Sequence, residues 1–214
     1  MKAAVFDIDG TLIDSIDFWR NLGKNYLISQ GISPRDDLYQ AMETLTVTEG
    51  ISYMKKEYKI GKTSLQIKEE LDELLFSYYK NDAKLKPYVI EVIKTLKSKN
   101  IRLAIASVID EELIFSILDR YGIYDYFEFV QTSKNTNLSK DNGEFFKLLP
   151  KRLNIKPDQI FLFEDSLHCM EAAKMAGLNV VAIEDNYAKK DLEKIIEFAD
   201  IYLKDFKKLI KFIK

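Results

Sequence analysis

Two aspartates one residue apart close an apolar run, Ala3-Ala4-Val5-Phe6-Asp7-Ile8-Asp9-Gly10-Thr11-Leu12. The run has the length and composition of a buried strand. In an extended chain residues i and i+2 project to the same side, so Asp7 and Asp9 are expected together at the strand's carboxyl end. Adjacent carboxylates repel unless a proton or cation lies between them. A hard divalent ion such as Mg2+ suits an all-oxygen set. One carboxylate is then free to act as nucleophile and the other to move protons. A second acidic pair, Glu164-Asp165, follows another apolar run, Ile160-Phe161-Leu162-Phe163. On a parallel sheet both pairs reach one edge, where four carboxylates converge around a metal. The bland alternative makes Asp165-Ser166 only a cap for the helix starting at Leu167. With Asp7 and Asp9 present, the metal reading is preferred.

Two further positions suit an anion. Ser107 ends the run 101–106, and its hydroxyl and the Val108 amide can donate to phosphate oxygens where a loop leads into a helix. Lys140 precedes the helical stretch around Phe145, where an ammonium neutralises phosphate charge and restrains a nucleophile. Lys134 is its rival. The lone histidine, His168, lies one turn after Glu164 and is read as a surface or structural residue.

These residues need a scaffold that gathers strand ends. After Asp14 the pattern becomes helical, with stretches at 16–30, 35–43, 48–58 and 64–80, and no convincing strand before about 84. Strand and helix then alternate: helices at 88–99, 111–121, 145–153, 167–176 and 191–198, and strands at 101–107, 127–132, 160–163, 180–183 and 201–203. Repeated β-α-β units imply an α/β, doubly wound parallel sheet with right-handed crossovers. The partition is therefore 1–13 with 86–214 as the core and 14–85 as an all-helical insertion, with hinges at 14–17 and 84–87.

The composition of the 214 residues, 47% hydrophobic with net charge −2 from 32 basic and 34 acidic residues, fits a globular core and shows no nucleic-acid footprint. The longest apolar runs fall far short of the roughly 20 residues that span a bilayer. The basic, amphipathic end 204–214 is expected to pack its apolar face on the core rather than on a membrane. A single cysteine, Cys169, forms no internal disulfide and fits a reducing cytoplasm. A signal peptide is not expected, because its removal would take the acidic motif with it. A monomer is the default expectation.

The order of these residues resembles the haloacid dehalogenase superfamily over nearly the whole chain. Asp7-Ile8-Asp9-Gly10-Thr11-Leu12 resembles its first motif, D-x-D-G-T-L, and Ser107 its second. Lys140, six residues before Phe146, is similar to the third, and Glu164-Asp165-Ser166 to the fourth. The third motif here reads Ser139-Lys140-Asp141-Asn142-Gly143, without the usual glycine and prolines, and Cys169 stands where the fourth usually has glycine. The nearest subgroup is that of the beta-phosphoglucomutase-like phosphatases, with a Rossmann-like core and an inserted helical cap.

The resemblance implies that Asp7 attacks phosphorus to form an aspartyl-phosphate and that Asp9 protonates the leaving oxygen and later activates water. Thr11 helps to position Asp9 or the phosphate. It also implies Mg2+ on Asp7, the Asp9 carbonyl and Asp165, with Glu164 assisting, and a phosphoryl group held by Ser107, Val108 and Lys140. The expected substrate is a small phosphorylated metabolite, such as a sugar phosphate, admitted by the cap, with Trp19, Arg20, Lys24 and Tyr26 as candidate contacts. A sugar phosphomutase is the alternative. Trp19, which cannot move a proton, stands where the similar mutases have a cap histidine, and this favours a phosphatase. A dehalogenase needs neither Asp9 nor a metal. A non-catalytic phosphometabolite-binding protein would be expected to lack Asp7 or Asp9.

Overall fold

The computed structural model describes residues 1–213, in two compact units: Met1–Asp14 with the chain from Ala83 onward, and Ser15–Asp82. The boundaries differ slightly from the expected 14 and 85, because the outgoing and returning limbs pair with each other. The Asp14 amide donates to the Lys84 carbonyl at 3.0 Å and the Lys86 amide to that of Leu12 at 2.8 Å, with Ile13 and Leu85 bridging antiparallel.

The second unit is helical: α1 (Ile16–Ser29), α2 (Leu38–Met42), α3 (Val47–Glu57) and α4 (Ser64–Ser77), followed by a π-helical turn at Tyr78–Asp82. Its start signals are local. Thr46 with Glu49 and Thr63 with Gln66 form reciprocal capping boxes that satisfy the first free amides of α3 and α4. Ile67, Leu71 and Leu75 make one buried stripe along α4. The expected helix at 35–43 shrinks to α2, since Arg35 and Asp37 pair outside it.

The first unit is a six-stranded sheet in the order β3-β2-β1-β4-β5-β6. Its strands are β1 (Ala3–Phe6), β2 (Arg102–Ser107), β3 (Val130–Thr132), β4 (Ile160–Glu164), β5 (Asn179–Ile183) and β6 (Ile201–Leu203), all parallel. Between and after them run α5 (Val89–Ser98), α6 (Glu111–Arg120), α7 (Ser133–Thr136), α8 (Gly143–Leu153), α9 (Leu167–Met175), α10 (Leu192–Phe198) and α11 (Phe206–Ile213).

Helices cover both faces, which is why β1 reads as unbroken apolar sequence. Ala3 and Val5 pack with Phe145, Phe146 and Leu149 of α8 and with Met170, Ala172 and Ala173 of α9. Opposite, Phe6 stacks on Phe163 with centroids 4.4 Å apart and meets Phe206 of α11. Phe206, Leu209 and Ile210 of α11 are buried, in line with the expected docking of its apolar face. Among the described residues no helix is long and apolar enough to cross a membrane. From β1 the chain winds out to β2 and β3 on one side, then to β4, β5 and β6 on the other. The order switches between β1 and β4, and in open α/β sheets ligands bind at the strands' carboxyl ends beside such a switch.

Candidate metal and phosphate site

Phe6 is paired with Phe163 of β4, and the Asp7 amide donates to the Phe163 carbonyl at 3.0 Å. This register sets Asp7 and Glu164 level at the switch point. Asp7, Glu164 and Asp165 each bring a carboxylate oxygen within 4.8 Å of the others, and all three residues are at least nine-tenths buried. Burial pushes the Asp7 pKa up to about 7; Lys140 opposes that shift, and Glu164 and Asp9 add to it. Asp165 is pushed well above the usual carboxylate range by burial, then by the charges of Glu164 and Asp7. Burial and mutual repulsion of three acids against one ammonium favour protonated carboxyls, a cation between them would let them ionise, and the donors are all oxygen. This set fits a hard divalent cation.

The expected convergence of four carboxylates becomes three. β1 ends at Phe6, so Asp7 and Asp9 lie beyond the strand and its side-to-side alternation does not govern them. Asp9 sits at the mouth of a turn that bridges it to Ile13, and its carboxylate is outside the close group. Within that turn Gly10 has φ +77°, and a Cβ there would come within 2.3 Å of Asp165 Oδ2. Glycine is needed for both reasons. Thr11, fully buried, donates its hydroxyl to Asp165 Oδ1 at 3.3 Å.

Of the two candidate lysines, Lys140 is the one placed against these carboxylates. Its Nζ lies 2.5 Å from Asp7 Oδ1 and 2.7 Å from Glu164 Oε2, with 3% of the side chain exposed. Burial alone would lower its pKa, but Asp7 and Glu164 more than reverse that and hold it above its ordinary value. The rival Lys134 is exposed and paired with Asp110 at 2.6 Å. The atypical third motif works locally because Asn142, not proline, caps α8 by accepting from the Glu144 amide at 3.0 Å. Ser107 is the last residue of β2 and fully buried, yet its Oγ has no hydrogen-bond partner among the described residues. An unsatisfied buried hydroxyl costs about 1–3 kcal/mol, which an oxyanion ligand would offset. Val108 follows at the surface, 58% exposed.

Ser166 does not cap α9 with its side chain, as the bland reading of Asp165-Ser166 required; its Oγ lies 2.7 Å from His168 Nδ1 on the exposed surface. Cys169 is buried in the core cluster with its thiol pKa pushed up, chiefly by burial. In the helical unit, Trp19, Arg20 and Lys24 line a cavity of about 470 Å³ together with Tyr39, Met42 and Ile51. The Trp19 indole donates to the Tyr79 hydroxyl at 2.9 Å, and Arg20 lies over the Tyr39 ring at 3.7 Å. Tyr26 is buried and donates to Glu70 at 2.9 Å.

One pair beside the site escaped the sequence reading. Lys86 is bonded to Asp185 at 3.0 Å, and the charges of both reach Asp165. A signal was present: Glu184-Asp185 follows the apolar run Val180–Ile183 as Glu164-Asp165 follows its own.

The chain is similar to known proteins. Hexitol phosphatase B of Escherichia coli is 23% identical over 210 residues, 97% of this chain and 93% of its own. A phosphorylated carbohydrates phosphatase of Thermotoga maritima is 28% identical over 178 residues, 83% of this chain and 82% of that protein. The solved structure of a candidate beta-phosphoglucomutase from Thermotoga maritima has the same fold, with TM-score 0.84 at 24% identity over 100% of this chain and 98% of that one. The family pattern of the haloacid dehalogenase-like hydrolases matches residues 4–183. That span opens inside β1 and closes with the last residue of β5, so it takes in the whole sheet edge on which the acids and Lys140 meet, and the chain belongs to the haloacid dehalogenase-like hydrolases.

Proposed function

We propose that this hydrolase is a Mg2+-dependent phosphatase that cleaves a small phosphorylated metabolite, such as a sugar phosphate, through an aspartyl-phosphate on Asp7. The observation that carries this reading is the contact of Lys140 with Asp7 and Glu164 at the switch point, beside the further acid Asp165. The names of the carbohydrate and hexitol phosphatases support the substrate class.

In this mechanism the Ser107 hydroxyl, the Val108 amide and the Lys140 ammonium hold the phosphoryl oxygens. Lys140 also orients the Asp7 carboxylate for in-line attack. An Asp7 oxygen bonds to phosphorus as the ester P–O bond breaks, and Asp9 gives its proton to the leaving oxygen. Asp9 then takes a proton from water, which attacks the same phosphorus; the Asp7 oxygen leaves and inorganic phosphate is freed. Asp7, the Asp9 carbonyl, Asp165 and Glu164 are the residues that would hold Mg2+, which supplies charge neutralisation to the phosphoryl oxygens. Phosphoryl transfer asks mainly for positioning and neutralised charge, which this residue set provides. We assign substrate selection to the helical unit. Trp19, being tied to Tyr79 and without proton chemistry, favours hydrolysis over mutase action.

The test is phosphate release over a panel of sugar phosphates and other small esters with Mg2+, with Asp7→Asn as control. Release by the wild type and its loss in the variant are expected. Release from no ester, conversion of a hexose phosphate to its isomer without release, or full turnover by Asp7→Asn would each reject the proposal.

A further inference from the structure

Lysines beside a proline on a linker are usually solvated, but Lys86 is not. Its side chain is 14% exposed and that of Asp185 4%. Its Nζ donates to Asp185 Oδ2 and to the Glu184 carbonyl, both at 3.0 Å. Asp185 Oδ1 in turn accepts from the Tyr187 amide at 2.9 Å, so the loop after β5 is folded around this carboxylate. The Lys86 main chain holds the other side: its amide donates to Leu12, next to the Thr11 that bonds Asp165. Lys86 therefore ties the turn carrying Gly10 and Thr11 to the end of β5, and β5 pairs with β4 as far as Glu164. Asp165 follows Glu164 in the chain and accepts from Thr11, so it touches the first tied segment and adjoins the strand paired with the second. Asp185 also pushes the Asp165 pKa up and Lys86 opposes it, consistent with their closeness.

We propose that Lys86 and Asp185 are a positioning pair that holds Asp165 in place for the cation. The proposal rests on the metal-dependent reading above. Partners behind a ligand set orient it, and losing one weakens metal binding or activity about 10–100-fold. A brace makes a different forecast from an electrostatic field. As point charges, removing Lys86 would tighten Mg2+ and removing the Asp185 charge would loosen it. As a brace, losing either loosens it.

The experiment is calorimetric titration of wild type, Lys86→Met and Asp185→Asn with MgCl2 alone, with unfolding midpoints in EDTA to establish that each variant is folded. Turnover of p-nitrophenyl phosphate is followed separately. Both variants are expected to bind Mg2+ about tenfold more weakly and to recover kcat at saturating Mg2+, with little change in KM for the ester. Tighter binding in Lys86→Met, or wild-type affinity in both variants, overturns the proposal, as does a wild type that binds no Mg2+. If Lys86→Met does not fold, Lys86→Gln, which also removes the charge and is too short to keep both bonds, decides by the same titration. A wild type that binds Mg2+ but releases no phosphate rejects the phosphatase reading alone, and the magnesium constants still judge the pair.

Discussion

Lys140 serves the fold and, in the proposed mechanism, the chemistry with one charge. It is the ammonium facing Asp7 and Glu164 in a buried setting, and removing one member of such a group strands the rest. Lys140→Met in EDTA is expected to lose about 3–5 kcal/mol of stability, read by urea unfolding; a loss below 1 kcal/mol would show that the carboxylates are solvated or protonated instead. Asp7→Asn keeps the shape and relieves like-charge crowding. It should fold at least as well as the wild type in EDTA and lose on the order of 10³-fold or more in turnover, checked by phosphate release.

Elements matter here through where they stop. β1 ends at Phe6, and the turn that follows turns back at Gly10 so that Asp165 can approach. Gly10→Ala adds a Cβ where φ is +77° and Asp165 already sits. The left-handed conformation alone costs about 1–2 kcal/mol, visible as a lower unfolding midpoint. Mg2+ affinity and turnover should each fall about tenfold, measured by calorimetry and phosphate release. Normal magnesium binding in the variant would mean that Asp165 is not a ligand. On α8, Leu149 is fully buried against β1. Leu149→Ala should cost about 2–5 kcal/mol in urea unfolding without moving KM, since the cavity opens in the core and not at the sheet edge.

For the whole molecule the decisive quantity is the crowding of buried acids at the switch point. A cation that binds only the folded chain stabilises it by mass action, about 2.7 kcal/mol at one hundred times its dissociation constant. For a chain of this size that corresponds to an unfolding midpoint about 5–11 °C higher in excess Mg2+ than in EDTA, followed by scanning calorimetry. A midpoint indifferent to Mg2+ would remove the metal from the reading.

Much of this was legible in the residues because it is local. Apolar runs marked β1, β2, β4 and β5, and helical periodicity marked α1, α3 and α4. Acids at strand ends had to share an edge once the sheet was parallel, so Asp7, Glu164 and Asp165 could be named in advance. α7 was missed because four residues carry no periodicity. Asp9 was placed by an alternation that ceases at Phe6. Lys140 was preferred with Lys134 kept as its rival, because both stand between β3 and α8 and only packing decides which ammonium is buried. Lys86 and Asp185 are 99 residues apart, and nothing in their local sequence joins them. Sequence by itself determined the kinds of element and the chemistry at their tips, since propensity and motif spacing act over a few residues. Tertiary structure alone decided which charges meet, because burial and Coulomb interaction depend on distances that only the closed sheet defines.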